Sequence, residues 1–257
     1  MNGNKIQELL EKLYPSSYAE NWDNVGLQVG TMDKNINGIL ISLDLTMEVI
    51  EEAKANHANV IICHHPAIFS PMKKIDSNTY LGKMIHALIK NDITLYVMHT
   101  NFDVSSYGMN VILGKKLGLT SIELFDKIDE DFGLGVIGFI KKQRADYFIS
   151  DLKSEFGIES VRYIGNLKDT IEKVAIIGGS GSSYIYQVLE EDVDLFITGD
   201  VTYHKALDCI NLGLNVLDIG HHFESHGIKE VKEVLITNGI NIPIYVSNIN
   251  TNPYKNL

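Results

Sequence analysis

The chain has 257 residues, of which 45% are hydrophobic and 21% charged, the balance of a globular protein large enough to bury one or two cores. Its 22 basic and 33 acidic residues give a formal net charge of −11. A chain of that charge repels a phosphate backbone and its paired lysines are isolated, so we expect no nucleic-acid partner.

The sequence also argues against membrane-spanning and disulfide-bonded classes. No apolar run approaches the roughly 20 residues that span a membrane, and the first residues lack the apolar region of a signal peptide. Cys63 and Cys209 are far apart in the sequence and neither belongs to a C-x-x-C motif. We therefore expect two reduced, buried thiols in a cytoplasmic protein without a membrane partner.

The first half of the chain alternates predicted helices with predicted strands. Residues 21–30 contain the only tryptophan, Trp22, and are predicted to form a turn anchored by the indole. The elements are a helix over 4–13, the strand Gly38–Leu45, a helix from the N-cap Thr46 to about Asn56, the strand Val60–Cys63, a helix from Ser77 to about Lys90, the strand Ile93–Met98 and the helix Gly108–Leu117. This alternation is typical of a parallel sheet with covering helices.

A second α/β series begins near Gly133. Its elements are strands over Gly133–Ile140, Val161–Ile164, Lys173–Ile177, Asp194–Thr198, Asn215–Ile219 and Ile242–Val246, with helices over Ala145–Phe156, Tyr184–Glu190, Thr202–Asn211 and Glu224–Asn238. Acidic residues cluster over 120–132, where we place the boundary between the halves. The prediction is an α/β fold of two similar halves with mainly parallel sheets, 1–125 and 126–257, the first half including a continuation from the C-terminal end of the chain.

Histidines follow three of the predicted strands. They are His64 and His65, His99, and His221 and His222, and the carboxylates Asp103 and Glu224 come shortly after the second and third sets. Ligands of open α/β sheets bind at the carboxyl ends of strands, and neutral imidazole is a common nitrogen ligand for transition metals. The sequence therefore predicts a metal site, and the spacing leaves one ion and two ions equally open.

Two other polar stretches have plainer interpretations. Asp200 is expected to cap the following helix, with a place beside the site as the alternative, and the role of His204 is left open. Residues 178–183 (Gly-Gly-Ser-Gly-Ser-Ser) lack the third glycine of a dinucleotide fingerprint and the lysine of a P-loop. A tight strand-to-helix turn is the favoured interpretation of this segment, with backbone contact to a phosphate as the alternative.

Six motifs occur in an order that resembles the NIF-three-like family, whose members bear the name GTP cyclohydrolase 1 type 2 homologue. They are Trp22-Asp23-Asn24-Val25-Gly26-Leu27-Gln28-Val29-Gly30, His64-His65-Pro66, His99-Thr100-Asn101-Phe102-Asp103, Ile177-Gly178-Gly179-Ser180-Gly181, Thr198-Gly199-Asp200 with His204, and Gly220-His221-His222-Phe223-Glu224. The resemblance runs from about residue 4 to 250. It implies a dinuclear metal site in a cleft between two α/β halves, a homohexamer, and a short form without the family's inserted domain.

The resemblance also implies a ligand set. His64 and Asp103 would hold one divalent ion, His65 and His221 the other, and Glu224 would bridge them. Some family members place the glutamate four residues after the histidine, whereas here it follows His221 by three. This departure leaves His221 and His222 as alternatives, and we choose His221 because it directly follows the strand and Gly220.

The resemblance implies a hydrolase in which a metal-activated water attacks a small-molecule substrate. A nucleotide such as GTP is among the candidate substrates. The two ions could be zinc, iron, manganese, cobalt or nickel. His99 is the candidate proton shuttle, with a supporting hydrogen bond to a ligand as the equal alternative. Another substrate, such as a phosphoester or cyclic amide, and a non-catalytic metal-binding regulator or chaperone-like protein are the competing functions.

Overall fold

The computed structural model describes residues 1–255, which divide into two units with one sheet each. Unit 1 comprises Met1–Phe102 and Ser225–Thr251, and unit 2 comprises Asp103–Glu224 and, of the described residues, 252–255. The division after Phe102 differs from the predicted boundary at residue 125, because the helix and strand that follow Asp103 pack with the sheet of unit 2. The chain returns to unit 1 at Ser225.

The elements are numbered in chain order. The helices are α1 (Gly3–Leu13), α2 (Met47–Ala55), α3 (Tyr80–Lys90), α4 (Thr100–Asp103), α5 (Met109–Lys116), α6 (Ala145–Phe156), α7 (Ile185–Glu190), α8 (Tyr203–Leu212), α9 (Ser225–Ile228) and α10 (Val231–Thr237). The strands are β1 (Gly26–Val29), β2 (Ile39–Ser42), β3 (Val60–Cys63), β4 (Thr94–Val97), β5 (Thr120–Lys127), β6 (Gly133–Arg144), β7 (Arg162–Ile164), β8 (Thr170–Ile176), β9 (Leu195–Thr198), β10 (Val216–Asp218) and β11 (Ile244–Val246). One-turn 3-10 helices lie at Ser16–Tyr18, Ser182–Tyr184 and His221–Glu224.

The sheet of unit 1 has the strand order β1-β4-β3-β2-β11, in which only the β1–β4 pairing is antiparallel. Every residue of β2, β3 and β4 is buried. The register aligns Ser42, Cys63 and Val97, so the segments that follow these three strands leave the sheet at the same edge. Strand β1 was predicted as part of a turn. Its pairing with β4 is a long-range contact, and four residues are too few to show a strand pattern in the sequence.

The sheet of unit 2 is mixed, with the order β5-β6-β8-β9-β10-β7. Strands β8, β9 and β10 are parallel, and the remaining three pairings are antiparallel. The acidic stretch predicted as a boundary contains β5, an edge strand whose only buried residue is Phe125. Such an exposed edge strand has the composition of a loop, which is why the sequence indicates a boundary here, whereas the division between the units falls after Phe102.

Helix ends are partly as predicted. Thr46 is confirmed as the N-cap of α2, its hydroxyl accepting from the Val49 N–H at 3.2 Å. The predicted cap Ser77 is wrong, because Thr79 accepts from the Gly82 N–H at 3.1 Å and α3 begins after it. The single helix predicted over 224–238 is broken into α9 and α10.

Both cysteines are buried free thiols, as predicted.

Within residues 1–255, none of the helices has the length and apolar character needed to cross a membrane.

Candidate metal centre

Three histidines of unit 1 meet at the carboxyl edge of its sheet. His64 and His65 follow β3 directly, and His99 follows β4 after one residue. One ring nitrogen from each lies within 4.8 Å of the other two, and the ring centroids are 4.9 to 5.6 Å apart. The parallel pairing of β3 with β4 therefore gathers the imidazoles that the sequence placed at two strand ends.

The Nδ1 atom of each of these rings is engaged by an oxygen. His64 Nδ1 lies 2.8 Å from the Met98 carbonyl oxygen, His65 Nδ1 lies 2.7 Å from Asp44 Oδ1, and His99 Nδ1 lies 2.9 Å from Asp23 Oδ1. Carbonyl and ionised carboxylate oxygens only accept, so Nδ1 carries the proton and a neutral ring has its lone pair on Nε2. This is the arrangement that orients metal-ligating histidines.

Asp23 is a site residue that the sequence interpretation missed. Its side chain is fully buried, and besides His99 it accepts from the Thr100 N–H at 3.1 Å and the Thr100 hydroxyl at 2.6 Å. Burial alone would raise the pKa of Asp23, but the hydrogen bonds and charge of His99 and the hydrogen bonds of Thr100 outweigh it and lower the pKa to about 2. Asp23 is therefore ionised and fixes the orientation of the His99 ring.

The lowered pKa of Asp23 implies that the free energy of unfolding depends on pH. A carboxyl whose pKa falls from 3.8 unfolded to about 2 folded contributes about 2 kcal/mol to the free energy of unfolding above pH 4, and this contribution is lost as pH falls from 4 to 2. We expect Asp23→Asn to be less stable than the wild type near neutral pH, with the two proteins converging toward pH 2. Urea unfolding across this range measures the difference, and a gap independent of pH would contradict the assignment.

Candidate metal-ligating side chains of unit 2 lie beside the ends of β8, β9 and β10. His221 and Glu224 lie on the 3-10 turn after β10, with His221 Nε2 3.3 Å from Glu224 Oε2. Glu224 is only 3% exposed, and one of its carboxylate oxygens lies within 4.8 Å of an oxygen of Asp103. His222 belongs to no such cluster among residues 1–255, so the geometry favours His221 of the two alternatives.

Asp200 supports His221 rather than capping a helix. Its Oδ2 lies 2.6 Å from His221 Nδ1, the same arrangement that holds the histidines of unit 1. The N-cap position of α8 is occupied by Thr202, so the predicted cap is wrong and the alternative, a place beside the site, holds. His204 is exposed and packs edge-on against Tyr203, with ring centroids 5.5 Å apart.

The glycine-rich turn after β8 makes room for Glu224. Gly179 has a φ of +61°, and a Cβ on it would lie 2.6 Å from Glu224 Oε1. The Gly178 N–H donates to Asn110 Oδ1 at 2.7 Å, and Asn110 Nδ2 donates to the Asp103 carbonyl oxygen at 3.1 Å. The tight turn predicted from the sequence is confirmed, and Asn110 links it to the backbone of Asp103.

The prediction that the Trp22 indole anchors a turn is not supported by its exposure. The indole is 56% exposed and meets the His99 ring edge to face, with centroids 5.9 Å apart. Its position beside a candidate catalytic residue was not foreseeable, because the contact joins residues 77 positions apart in the chain.

Comparison with known proteins adds to this geometry. The family model Duf34/NIF3 (NGG1p interacting factor 3) matches residues 1–253. A Clostridium perfringens protein named GTP cyclohydrolase 1 type 2 homolog is 42% identical over 224 residues, covering 86% of each chain. A Lactococcus lactis protein of the same name is 35% identical over 250 residues, covering 96% of each. The crystal structure of Staphylococcus aureus hypothetical protein SA1388 has a TM-score of 0.93 and 37% identity, covering 100% of this chain and 99% of that one. The chain therefore belongs to the Duf34/NIF3 family.

Proposed function

We propose that this chain is a metal-dependent hydrolase whose two divalent ions are held by His64, His65, Asp103, His221 and Glu224. The proposal rests on the hydrogen bonds that orient the imidazoles. In each unit, Nδ1 of a candidate ligand is hydrogen-bonded to an oxygen of the chain. Four such rings, counting His99, are difficult to explain as structural histidines alone, since each is oriented with Nε2 as its basic nitrogen.

The donor set fits divalent transition metals. Unit 1 offers imidazole nitrogens, and unit 2 offers the carboxylates of Asp103 and Glu224 together with the imidazole of His221. Mixed nitrogen and carboxylate donors suit zinc, iron, manganese, cobalt and nickel. When bound, such ions lower the pKa of a coordinated water and polarise the bond to be hydrolysed.

The residues of the chain then have distinct roles. Asp44 and Asp200 hold the proton on Nδ1 of His65 and His221 and so keep Nε2 available. Asp23 does the same for His99, which leaves Nε2 of His99 as the atom that accepts and returns a proton. A buried carboxylate on the far side of an imidazole also stabilises that ring when it is protonated.

The test is turnover of GTP by metal-loaded protein, with products identified by mass spectrometry. The relatives' name motivates GTP as the first substrate. A product with the imidazole ring of the purine opened at C8, absent with Glu224→Gln, would support the proposal. Metal-loaded protein that leaves GTP, phosphodiesters and cyclic amides unchanged would contradict it and favour a non-catalytic metal-binding role.

The role of His99 can be tested separately from metal binding. We expect His99→Ala to retain both ions and to lower turnover by roughly 10²–10⁴-fold, the usual contribution of a general acid or base. Metal content by elemental analysis and steady-state rates measure the two effects. The control is His86→Ala, an exposed histidine on α3 of the same unit. Loss of metal in His99→Ala would instead make His99 a ligand.

A further inference from the structure

An exposed aromatic pair borders the histidines of unit 1. Trp22 and Phe69 are 56% and 53% exposed, and their rings lie 5.7 Å apart at an interplanar angle of 40°. The Trp22 indole also packs against the imidazole of His99 in a T-shaped arrangement, with ring centroids 5.9 Å apart. Large aromatic rings left in water beside a candidate site indicate a surface that another molecule covers.

The chain holds this pair in place. The Gln28 side chain accepts from the Ile68 N–H at 2.9 Å and donates to the Ile68 carbonyl oxygen at 3.1 Å. Asn24 Nδ2 donates to the same carbonyl oxygen at 2.5 Å. Two side chains therefore fix the backbone next to Phe69, while Trp22 directly precedes the buried, hydrogen-bonded Asp23.

These bonds concern residues 22–28, of which the proposed function uses only Asp23. Within these seven positions Asp23 bonds His99, Gln28 bonds the backbone of Ile68, and Trp22 exposes its indole beside His99. A preformed surface of this kind binds with little loss of conformational entropy on association.

We propose that Trp22 and Phe69 form a stacking platform for a planar heteroaromatic ring of the substrate, the purine of GTP being the first probe. This inference rests on the proposed function and specifies its substrate class. Stacking suits flat apolar faces and is independent of the hydrogen-bonding groups of the ring. The alternative occupant, a second copy of this chain, is less favoured because two rings supply little of the about 800 Å² that each partner of a stable interface buries.

Trp22 is the only tryptophan in the chain, so its fluorescence reports directly on the platform. We expect GTP and guanosine to quench the emission of zinc-loaded protein saturably, and ribose 5-phosphate to leave it unchanged. Absorption by the nucleotide is corrected with free N-acetyl-tryptophanamide. Phe69→Ala should raise the Kd of GTP roughly tenfold, because stacking on an aromatic side chain contributes that much or more. Phe139→Ala, which truncates a 42% exposed phenylalanine of β6 in unit 2, is the matched control.

The outcomes separate this inference from the proposed function. Metal-loaded protein whose emission does not respond to GTP or guanosine would overturn the platform, as would an unchanged Kd in Phe69→Ala. A shift in sedimentation of Phe69→Ala with unchanged nucleotide binding would assign the surface to a second copy and also overturn it. Saturable quenching by guanosine in a protein that takes up no metal would support the platform and contradict the metal-dependent function alone.

Discussion

Glu224→Gln is expected to lower metal affinity by more than about 100-fold while leaving the metal-free protein folded. Glutamine has the shape of glutamate but no charge, and Glu224 is buried against His221, with Oε2 3.3 Å from Nε2. Loss of a residue that only supports a ligand costs about 10–100-fold in metal affinity, so loss of a ligating carboxylate should exceed that. Because glutamine keeps the shape and a hydrogen-bonding oxygen at this buried position, we expect the metal-free protein to remain folded.

Metal content after dialysis and the stabilisation conferred by added zinc measure this effect. Zinc at about 100 times its Kd should raise the free energy of unfolding of the wild type by about 2.7 kcal/mol, and a variant with 100-fold weaker binding should gain only about 0.4 kcal/mol. Glu159→Gln, at an exposed position of the same unit, is the matched control. Wild-type zinc content in Glu224→Gln would exclude Glu224 as a ligand.

Gly179→Ala should damage both the fold and the metal site. The residue has a φ of +61°, a conformation that costs an alanine about 1–2 kcal/mol. The added methyl would also lie 2.6 Å from Glu224 Oε1, where one of the two must move. Crowding of a packed site costs about 1–3 kcal/mol more, so we expect a total loss of about 2–5 kcal/mol of unfolding free energy together with weaker metal binding.

A second glycine of unit 2 separates the two causes. Gly213 has a φ of +75°, but a Cβ there would meet nothing within 4 Å. Gly213→Ala should therefore show the backbone cost alone and retain full metal content. Equal effects of the two substitutions on stability and on metal binding would show that crowding of Glu224 contributes nothing.

Much of the candidate site could be predicted from local sequence. The runs Val60–Cys63 and Thr94–Val97 are apolar and rich in β-branched or aromatic residues, so their burial as strands was predictable, and so was the emergence of His64, His65 and His99 at their carboxyl ends. Glycine-rich turns after strands were likewise recognisable, and Gly179 now has a specific reason to be glycine. The α/β class follows from the same alternation of strand and helix periods.

The sequence alone did not identify the partners that orient the histidines. Asp23, Asp44 and Asp200 lie 76, 21 and 21 positions from the histidines that they support, and each lies in a loop, where an acidic residue is ordinary. Nothing local distinguishes a carboxylate that receives an Nδ1 proton from one that faces water.

The sequence by itself determined most of the strands, though not β1 or β5, together with the strand-end histidines and, through six ordered motifs, the family. Only the tertiary structure decided the division after Phe102, the pairing of β1 with β4 and the hydrogen bonds that set each imidazole. The physical reason is that strand periodicity is a property of consecutive residues. Edge pairing and hydrogen bonds between side chains depend instead on segments that the fold brings together from distant positions.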